Sequence, residues 1–202
     1  MSQKVSSGFY LQDDVVKIAR DMLGKFLYTN VDGLVTGGRI VETEAYNGRC
    51  DKACHAFLKR TKRTNIMYEE GGLAYIYLCY GIHHMLNIVT NIKGLADAVL
   101  IRALQPREGI PHMLKRRSLQ NPERLTSGPG NLGKALGINK TMNGSSFTKG
   151  TVIWLEEGPS PREIIADRRV GVGYAENDAS LPWRFFDKSS NYISRKPQKP
   201  LL

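Results

Sequence analysis

The chain of 202 residues is long enough for one domain with a sizeable core, or for two very small ones. Its hydrophobic content of 41% excludes a disordered chain, and no apolar run approaches the length of a membrane span. Lys and Arg outnumber Asp and Glu by 29 to 19, and the formal charge of +10 favours DNA or RNA as a partner over a membrane.

The cysteines and the N-terminus indicate where the protein works. Cys50, Cys54 and Cys79 are an odd and sparse set, which is typical of a reducing compartment and not of a disulfide framework. The first ten residues hold no apolar core of signal-peptide length, so no targeting signal is seen. We expect a cytoplasmic protein, associated with the nucleoid if the source is bacterial.

The N-terminal half begins with a helix and continues into strands. DDVVKIARDMLGK predicts an amphipathic helix, capped by Asp13 or Asp14 and ended by Gly24. KFLYT and LVTGGRIVETEAY predict two strands, the second bulged at Gly37-Gly38. The polar, basic stretch over residues 47–70 predicts a loop.

A β-hairpin and further mixed elements follow. LAYIYLCYG and HMLNIVTNI, with little more than Gly81 between them, predict the hairpin. AVLIRALQP predicts a buried strand ended by Pro106, and EGIPHMLKRR and GNLGKALGI predict short helices. TVIWLEE, RRVGVGY and WRFFD predict late strands, and the tail from about residue 188 is predicted to be loose. The expected fold is α+β, one domain over residues 1–202 with an antiparallel or mixed curved sheet and flanking helices.

The segment RIVETEAY carries unusual side chains for a structural strand. Residues two apart on a strand share a face, so one face is predicted to hold Ile40, Glu42, Glu44 and Tyr46. This face is either exposed surface with ordinary charged residues, or a cleft in which a carboxylate acts as a general base beside a tyrosine wall. The spacing alone leaves both interpretations open.

Other residues could belong to a metal site or a DNA-binding site, but simpler explanations exist for them. The C-x3-C-H spacing of Cys50, Cys54 and His55 fits no zinc motif, so no metal site is expected. Tyr80 at the hairpin tip is either an ordinary rim aromatic or a wedge that enters stacked bases. Arg102 interrupts an apolar run, and we expect it to meet a carboxylate or a phosphate.

Several segments, in their order along the chain, resemble the alkyladenine DNA glycosylase (methylpurine-DNA glycosylase) family. They are RIVETEAY with a histidine nine residues later, LAYIYLCYGIHHMLNIV, AVLIRALQP, SGPGNLGKALGINK, RRVGVGYA and WRFF. The resemblance runs from about Tyr10 to Phe186. It implies a compact α+β domain whose protruding β-hairpin enters the DNA minor groove. The implied reaction hydrolyses the N-glycosidic bond of a damaged purine flipped out of duplex DNA and leaves an abasic site.

The resemblance also implies a role for particular residues. Glu44 falls on the general base, and Glu42 has no assigned chemistry. The residues of the base pocket fall on Tyr46, His55, Tyr77 and Asn87, of which Asn87 would screen purines. The residues that contact DNA fall on the intercalating Tyr80, on Arg102 near the sugar, and on Arg116, Lys140 and the backbone of Val172 and Gly173. No metal or cofactor is implied, and the expected partner of a monomeric enzyme is double-stranded DNA containing damaged purines.

The implied chemistry is consistent with the residues present. Hydrolysis passes through an oxocarbenium-like state, which one carboxylate can stabilise while it deprotonates a water molecule. No lysine near Glu44 in the sequence is placed as a Schiff-base nucleophile, so we expect a monofunctional glycosylase. Two rivals remain at this point: a metal-dependent nuclease using Glu42 and Glu44, and a module that binds nucleic acid or lesions without catalysis. The sequence does not rank 3-methyladenine, 7-methylguanine, hypoxanthine and ethenoadenine as substrates.

Overall fold

Eight β-strands form one antiparallel sheet in the computed structural model, which describes residues 3–197. The strands are β1 (Phe26–Val31), β2 (Leu34–Tyr46), β3 (Ala74–Cys79), β4 (His83–Thr90), β5 (Asp97–Glu108), β6 (Ile153–Glu156), β7 (Ile164–Asp167) and β8 (Arg184–Asp187). Six of them follow the order β3-β4-β5-β2-β1-β6, and β8 joins β2 and β7 off that path. The predicted α+β fold is confirmed: one compact domain is built on a curled antiparallel sheet.

Helices cover the sheet at several places. They are α1 (Ser7–Tyr10), α2 (Val15–Asp21), α3 (Ile110–Arg117) and α4 (Pro129–Leu136), with 3₁₀ helices at Asn65–Tyr68, Lys140–Met142 and Gly173–Ser180. Asp14, and not Asp13, caps α2, because its side chain accepts a hydrogen bond from the Lys17 amide at 2.9 Å. Within residues 3–197 no helix has the length and apolar character needed to cross a membrane.

The two faces of the sheet pack against different groups of residues. Residues that alternate along a strand pack into different hydrophobic clusters. Ala74, Ile88 and Val99 belong to the main core, while Tyr75 and Val89 belong to a smaller cluster. The main core also takes in the buried faces of α2, α3 and α4. The smaller cluster lies beneath the loop over residues 47–70. This second face carries the candidate site.

The β2 strand contains irregularities that change which residues share a face. The predicted bulge at Gly37-Gly38 is present, and a Cβ on Gly38 would lie 2.1 Å from the Gln105 carbonyl oxygen. A second irregularity separates Ile40 from Glu42. Ile40 therefore packs in the main core with Ala45, and the prediction that it shares a face with Glu42 was wrong.

Two predicted strand limits were also wrong. β5 does not end at Pro106 but continues to Glu108, since Pro106 pairs with Gly38 at the bulge, where the ladder is already irregular. RRVGVGY forms no strand, and the strand lies just before it, at β7. The amide of Val170 in that segment donates to a Glu44 side chain, so it is not available to a strand ladder.

The predicted loose tail is held in place as far as Ser194 and Arg195. Ser194 bonds to Glu42 through its amide and hydroxyl, and the Arg195 carbonyl accepts from Arg184. The Ser127 hydroxyl donates to the Tyr192 carbonyl at 2.8 Å. We call residues 192–195 the C-terminal strap. The end of the predicted tail, residues 198–202, lies outside the described residues.

The β3–β4 hairpin ends in a tight turn. Tyr80 and Gly81 have φ angles of 50° and 73°, and the Ile82 amide donates to the Cys79 carbonyl at 3.2 Å. Positive φ at two consecutive central residues is the mark of a type I′ turn, whose twist matches that of the strands. Glycine adopts such angles freely, whereas a tyrosine is strained by about 1–2 kcal/mol.

Candidate active site

The second face of the sheet gathers polar and aromatic side chains along a row of paired residues. Across β3, β4, β5, β2 and β8, the register aligns Tyr75, Asn87, Leu100, Glu44 and Arg184. Neighbouring strands lie about 4.8 Å apart, and paired residues share a face. The register therefore places Asn87 and Glu44, which are 43 positions apart in the sequence, within about 10 Å of each other.

Glu44 lies at the centre of this row and is fully buried, with 0% of its surface exposed. Its Oε2 accepts from the Tyr46 hydroxyl at 2.8 Å and from Arg102 Nη1 at 3.2 Å. Its Oε1 accepts from the Val170 amide at 2.7 Å. Because each oxygen of an ionised carboxylate has two acceptor positions, Oε1 keeps one for a further donor such as water. The alternative of an exposed strand face with ordinary charged residues is therefore wrong.

Tyr46 and Arg102 keep their protons beside this carboxylate. Burial, and next the negative charge of Glu44, raises the pKa of the Tyr46 phenol well above its usual value, so it remains a donor. Burial acts to lower the pKa of Arg102, but the carboxylates of Glu44 and Glu42 outweigh it and raise that pKa. Of the two partners expected for Arg102, the structure shows carboxylates.

Glu42 lies behind this centre and organises its basic partners. It accepts from Arg102 Nε at 3.1 Å and from Arg184 Nη1 at 2.9 Å. The Ser194 amide donates to it at 2.6 Å and the Ser194 hydroxyl at 2.9 Å. These contacts satisfy the buried carboxylate, and through them Glu42 holds in place the arginine that contacts Glu44.

An aromatic cavity of about 540 Å³ opens above this part of the row. Its lining includes Tyr46, His55 and Tyr77, three residues that the resemblance assigned to one base pocket. The His55 and Tyr77 rings meet edge to face, with centroids 4.7 Å apart. His55 Nδ1 lies 3.1 Å from the Tyr75 hydroxyl. Partial burial, and next the Arg63 charge, lowers the pKa of His55 to about 4, so its ring is neutral at pH 7.

Asn87 lines the same cavity from β4. It is buried, and its Nδ2 donates to the Tyr75 carbonyl at 3.2 Å. This bond fixes the orientation of the side-chain amide, since one amide hydrogen is already committed. Its contact with a bound base and its screening role stay predictions.

Comparison with known proteins assigns the chain to a protein family. The model of the methylpurine-DNA glycosylase family matches residues 9–191. The chain belongs to this family. It is therefore a DNA glycosylase, and DNA is the substrate that its family acts on.

Three curated relatives show how similar this glycosylase is to known proteins. It is 44% identical to a protein of Chlamydia felis over 88% of this chain and 92% of the relative. A protein of Clostridium perfringens is 40% identical over 96% and 100% of the two chains, and one of Methanocella arvoryzae is 43% identical over 90% and 91%. Each of the three carries the name "Putative 3-methyladenine DNA glycosylase".

The hairpin of the glycosylase projects an apolar tip beside the cavity. Tyr80 is 91% exposed, and Leu78 and Ile82 are the other large exposed apolar side chains of the tip. Leu78 and Tyr80 also line the cavity, so the tip and the pocket are continuous. Grouped apolar side chains on a soluble protein mark an interaction surface.

The predicted backbone-contact residues lie in different surroundings. Arg116 Nη1 bonds to Thr36 and to the Ala135 carbonyl, and Arg116 lines a second cavity of about 430 Å³ between the hairpin and α4. Lys140 is exposed at the start of a short 3₁₀ helix. Val172 is buried and lines the aromatic cavity, while Gly173 is exposed. Their contacts to DNA stay predictions.

Four further residues of the candidate site were not predicted from the sequence. Arg184 is a buried arginine in WRFFD, and the argument that singled out Arg102 would have found it too. Ser194 lies in the segment expected to be loose, and Val170 acts through its backbone amide, which leaves no signal in a sequence. Arg63 belongs to the basic stretch over residues 47–70, which was predicted only to be a loop.

The cysteine–histidine segment is divided among different surroundings. Cys54 is buried in the smaller hydrophobic cluster and Cys50 is exposed, while His55 bonds to Tyr75. Within residues 3–197 no three His, Cys, Asp or Glu side chains are placed to hold a metal ion together.

Proposed function

We propose that this glycosylase hydrolyses the N-glycosidic bond of alkylated or deaminated purines that are flipped out of duplex DNA. The candidate substrates are 3-methyladenine, 7-methylguanine, hypoxanthine and ethenoadenine. The observation that carries the proposal is a buried carboxylate, Glu44, whose hydrogen-bond partners Tyr46, Arg102 and Val170 all line the aromatic cavity. The enzyme would work as a monomer, in the cytoplasm of a cell whose DNA it searches.

In the proposed reaction Glu44 acts as the general base. A water molecule donates a hydrogen bond to Oε1, beside the Val170 amide, and attacks C1′ of the flipped nucleotide as the bond from C1′ to the base nitrogen breaks. The proton of the water passes to Glu44, and the electron pair of the broken bond leaves with the base. The negative charge of Glu44 stabilises the positive charge that develops on the sugar.

The cavity would hold the base while the tip holds the DNA open. Base extrusion requires a few kcal/mol of unstacking, and an aromatic wedge can fill the space that the base leaves. Tyr80 is the side chain suited to that position, because it is exposed at the tip and borders the cavity. Tyr46, Tyr77 and His55 offer ring surfaces for stacking on the base.

The test uses one duplex with a single hypoxanthine and one alkylated DNA, both in EDTA. The protein is compared with Glu44→Gln, and with Glu70→Gln as a matched change at an exposed carboxylate. We expect base release and alkali-labile sites from the protein and from Glu70→Gln, and a loss of roughly 10²–10⁴-fold in Glu44→Gln.

Binding and stability measurements make the result decisive. Glu44→Gln should still bind the lesion duplex, and its thermal unfolding should show a folded protein. Binding by the native protein without any release would favour a lesion-binding module. Strand cleavage that needs a divalent metal and yields no abasic site would favour the nuclease.

A further inference from the structure

Arg63 is the only lysine or arginine of the loop over residues 47–70 that lines the aromatic cavity. Its guanidinium carbon lies 4.9 Å from the centroid of the Tyr77 ring, within the range of a cation–π contact. Its Nη2 lies 3.4 Å from His55 Nδ1. The guanidinium therefore rests against both rings of the wall on which a bound base would stack.

No carboxylate neutralises this guanidinium in the described part of the chain. Arg63 forms no ion pair there, whereas the neighbouring Arg60 pairs with Glu69 at 3.8 Å. Arg102 differs again, since it lies between two carboxylates. Arg63 thus brings a positive charge to the cavity wall formed by Tyr77 and His55, and this charge, after burial, contributes to the lowered pKa of His55.

We propose that Arg63 determines which damaged bases the cavity accepts, by favouring neutral purines over cationic ones. Purines methylated at a ring nitrogen, such as 7-methylguanine, carry a positive charge in DNA, whereas hypoxanthine and ethenoadenine are neutral. A cationic base would compete with Arg63 for the face of Tyr77 and would be repelled by its charge. A neutral base with acceptor atoms would instead accept hydrogen bonds from the guanidinium. This inference rests on the proposed function.

The experiment compares two arginines of one loop. Arg63→Gln removes the charge in the cavity, and Arg60→Gln removes an equal charge that stacks on Tyr68, also at 4.9 Å, outside the cavity. Both variants lose the same long-range attraction to DNA. Rates of base release at saturating enzyme, and affinities, are measured on one duplex containing either 7-methylguanine or hypoxanthine.

We expect Arg63→Gln to raise the ratio of 7-methylguanine to hypoxanthine release roughly tenfold, the size expected for unit charges about 5 Å apart in a partly solvated site. Arg60→Gln should leave that ratio within twofold of the native value. An unchanged ratio in Arg63→Gln, an equal change in both variants, or a shift towards hypoxanthine would overturn the inference. If the native protein released neither base, the proposed function would fail, and the affinity ratio on the same duplexes would still decide the role of Arg63.

A second readout needs no DNA. The four histidines can be titrated by NMR in the native protein and in both variants. We expect Arg63→Gln to raise the pKa of His55 from about 4 towards its ordinary value, because the nearby positive charge is removed while the burial remains. An unmoved His55 pKa would show that Arg63 does not lie in the cavity, and would contradict the inference.

Discussion

Two glutamates on one strand have different surroundings, and the difference separates their roles. Glu42 is bonded to two arginines and to Ser194, which leaves it little room for a substrate. Glu44 shares Arg102 with it but keeps an acceptor position at Oε1. Glu42, to which the resemblance assigns no chemistry, thus holds Arg102, which in turn contacts Glu44.

The substitution Tyr46→Phe tests how much the hydrogen bond from Tyr46 to Glu44 contributes to catalysis. Tyr46→Phe keeps the ring on the cavity wall but removes the hydroxyl that donates to Glu44 at 2.8 Å. A hydrogen bond to a charged group is worth about 1.5–3 kcal/mol, so we expect kcat to fall by roughly tenfold or more, with KM nearly unchanged. Steady-state kinetics on the hypoxanthine duplex would measure both constants.

Tyr68→Phe is the matched control for that change. The Tyr68 hydroxyl donates to the Ala56 carbonyl at 3.1 Å, and Tyr68 does not line the cavity. A similar loss of kcat in both variants would assign the Tyr46 effect to general stability and not to Glu44.

Among the elements, the short C-terminal strap contacts both Arg102 and Glu42. The Ser194 hydroxyl accepts from Arg102 Nη2 at 3.0 Å and donates to Glu42 at 2.9 Å. It lies beyond residue 191, where the family match ends. Because the Ser194 hydroxyl bonds to Arg102, we regard Ser194 as a positioning residue for that arginine.

Ser194→Ala measures that positioning. We expect kcat to fall roughly tenfold with little change in KM, because Arg102 loses a partly buried acceptor while the base pocket is untouched. Ser194→Thr, which keeps the hydroxyl, should restore most of the activity. Ser180→Ala, at an exposed serine, is the control. Failure of Ser194→Thr to recover activity in a folded protein would argue against this role.

The elements also show which features a sequence can predict. The hairpin, the capped helix and the face shared by Glu42, Glu44 and Tyr46 follow from local patterns, and the structure has all three. Ile40 was misplaced because a bulge changes the alternation, and RRVGVGY was misjudged because the Val170 amide bonds to a distant side chain. Both errors come from long-range contacts that local periodicity does not encode.

On the scale of the whole molecule, the charge of +10 determines how the protein meets DNA. Each phosphate neutralised by Lys or Arg releases counterions, so affinity falls as salt rises. We expect binding to an undamaged duplex to weaken by at least about 10³-fold between 50 and 200 mM salt, the lower end of the range for six to ten contacts. Fluorescence anisotropy across that series would give the slope. A slope near zero would contradict a surface that binds the DNA backbone.

The turn at Tyr80 and Gly81 has a consequence for the search along DNA. Its shape is stabilised within the hairpin itself, by the hydrogen bond from the Ile82 amide to the Cys79 carbonyl. Ordering a residue's backbone opposes binding by about 1–2 kcal/mol, and here that entropy is already lost during folding. If Tyr80 enters the stack of bases as proposed, each encounter would present an already ordered side chain, and the time spent at each step would depend on how easily the DNA opens and not on how fast the protein rearranges.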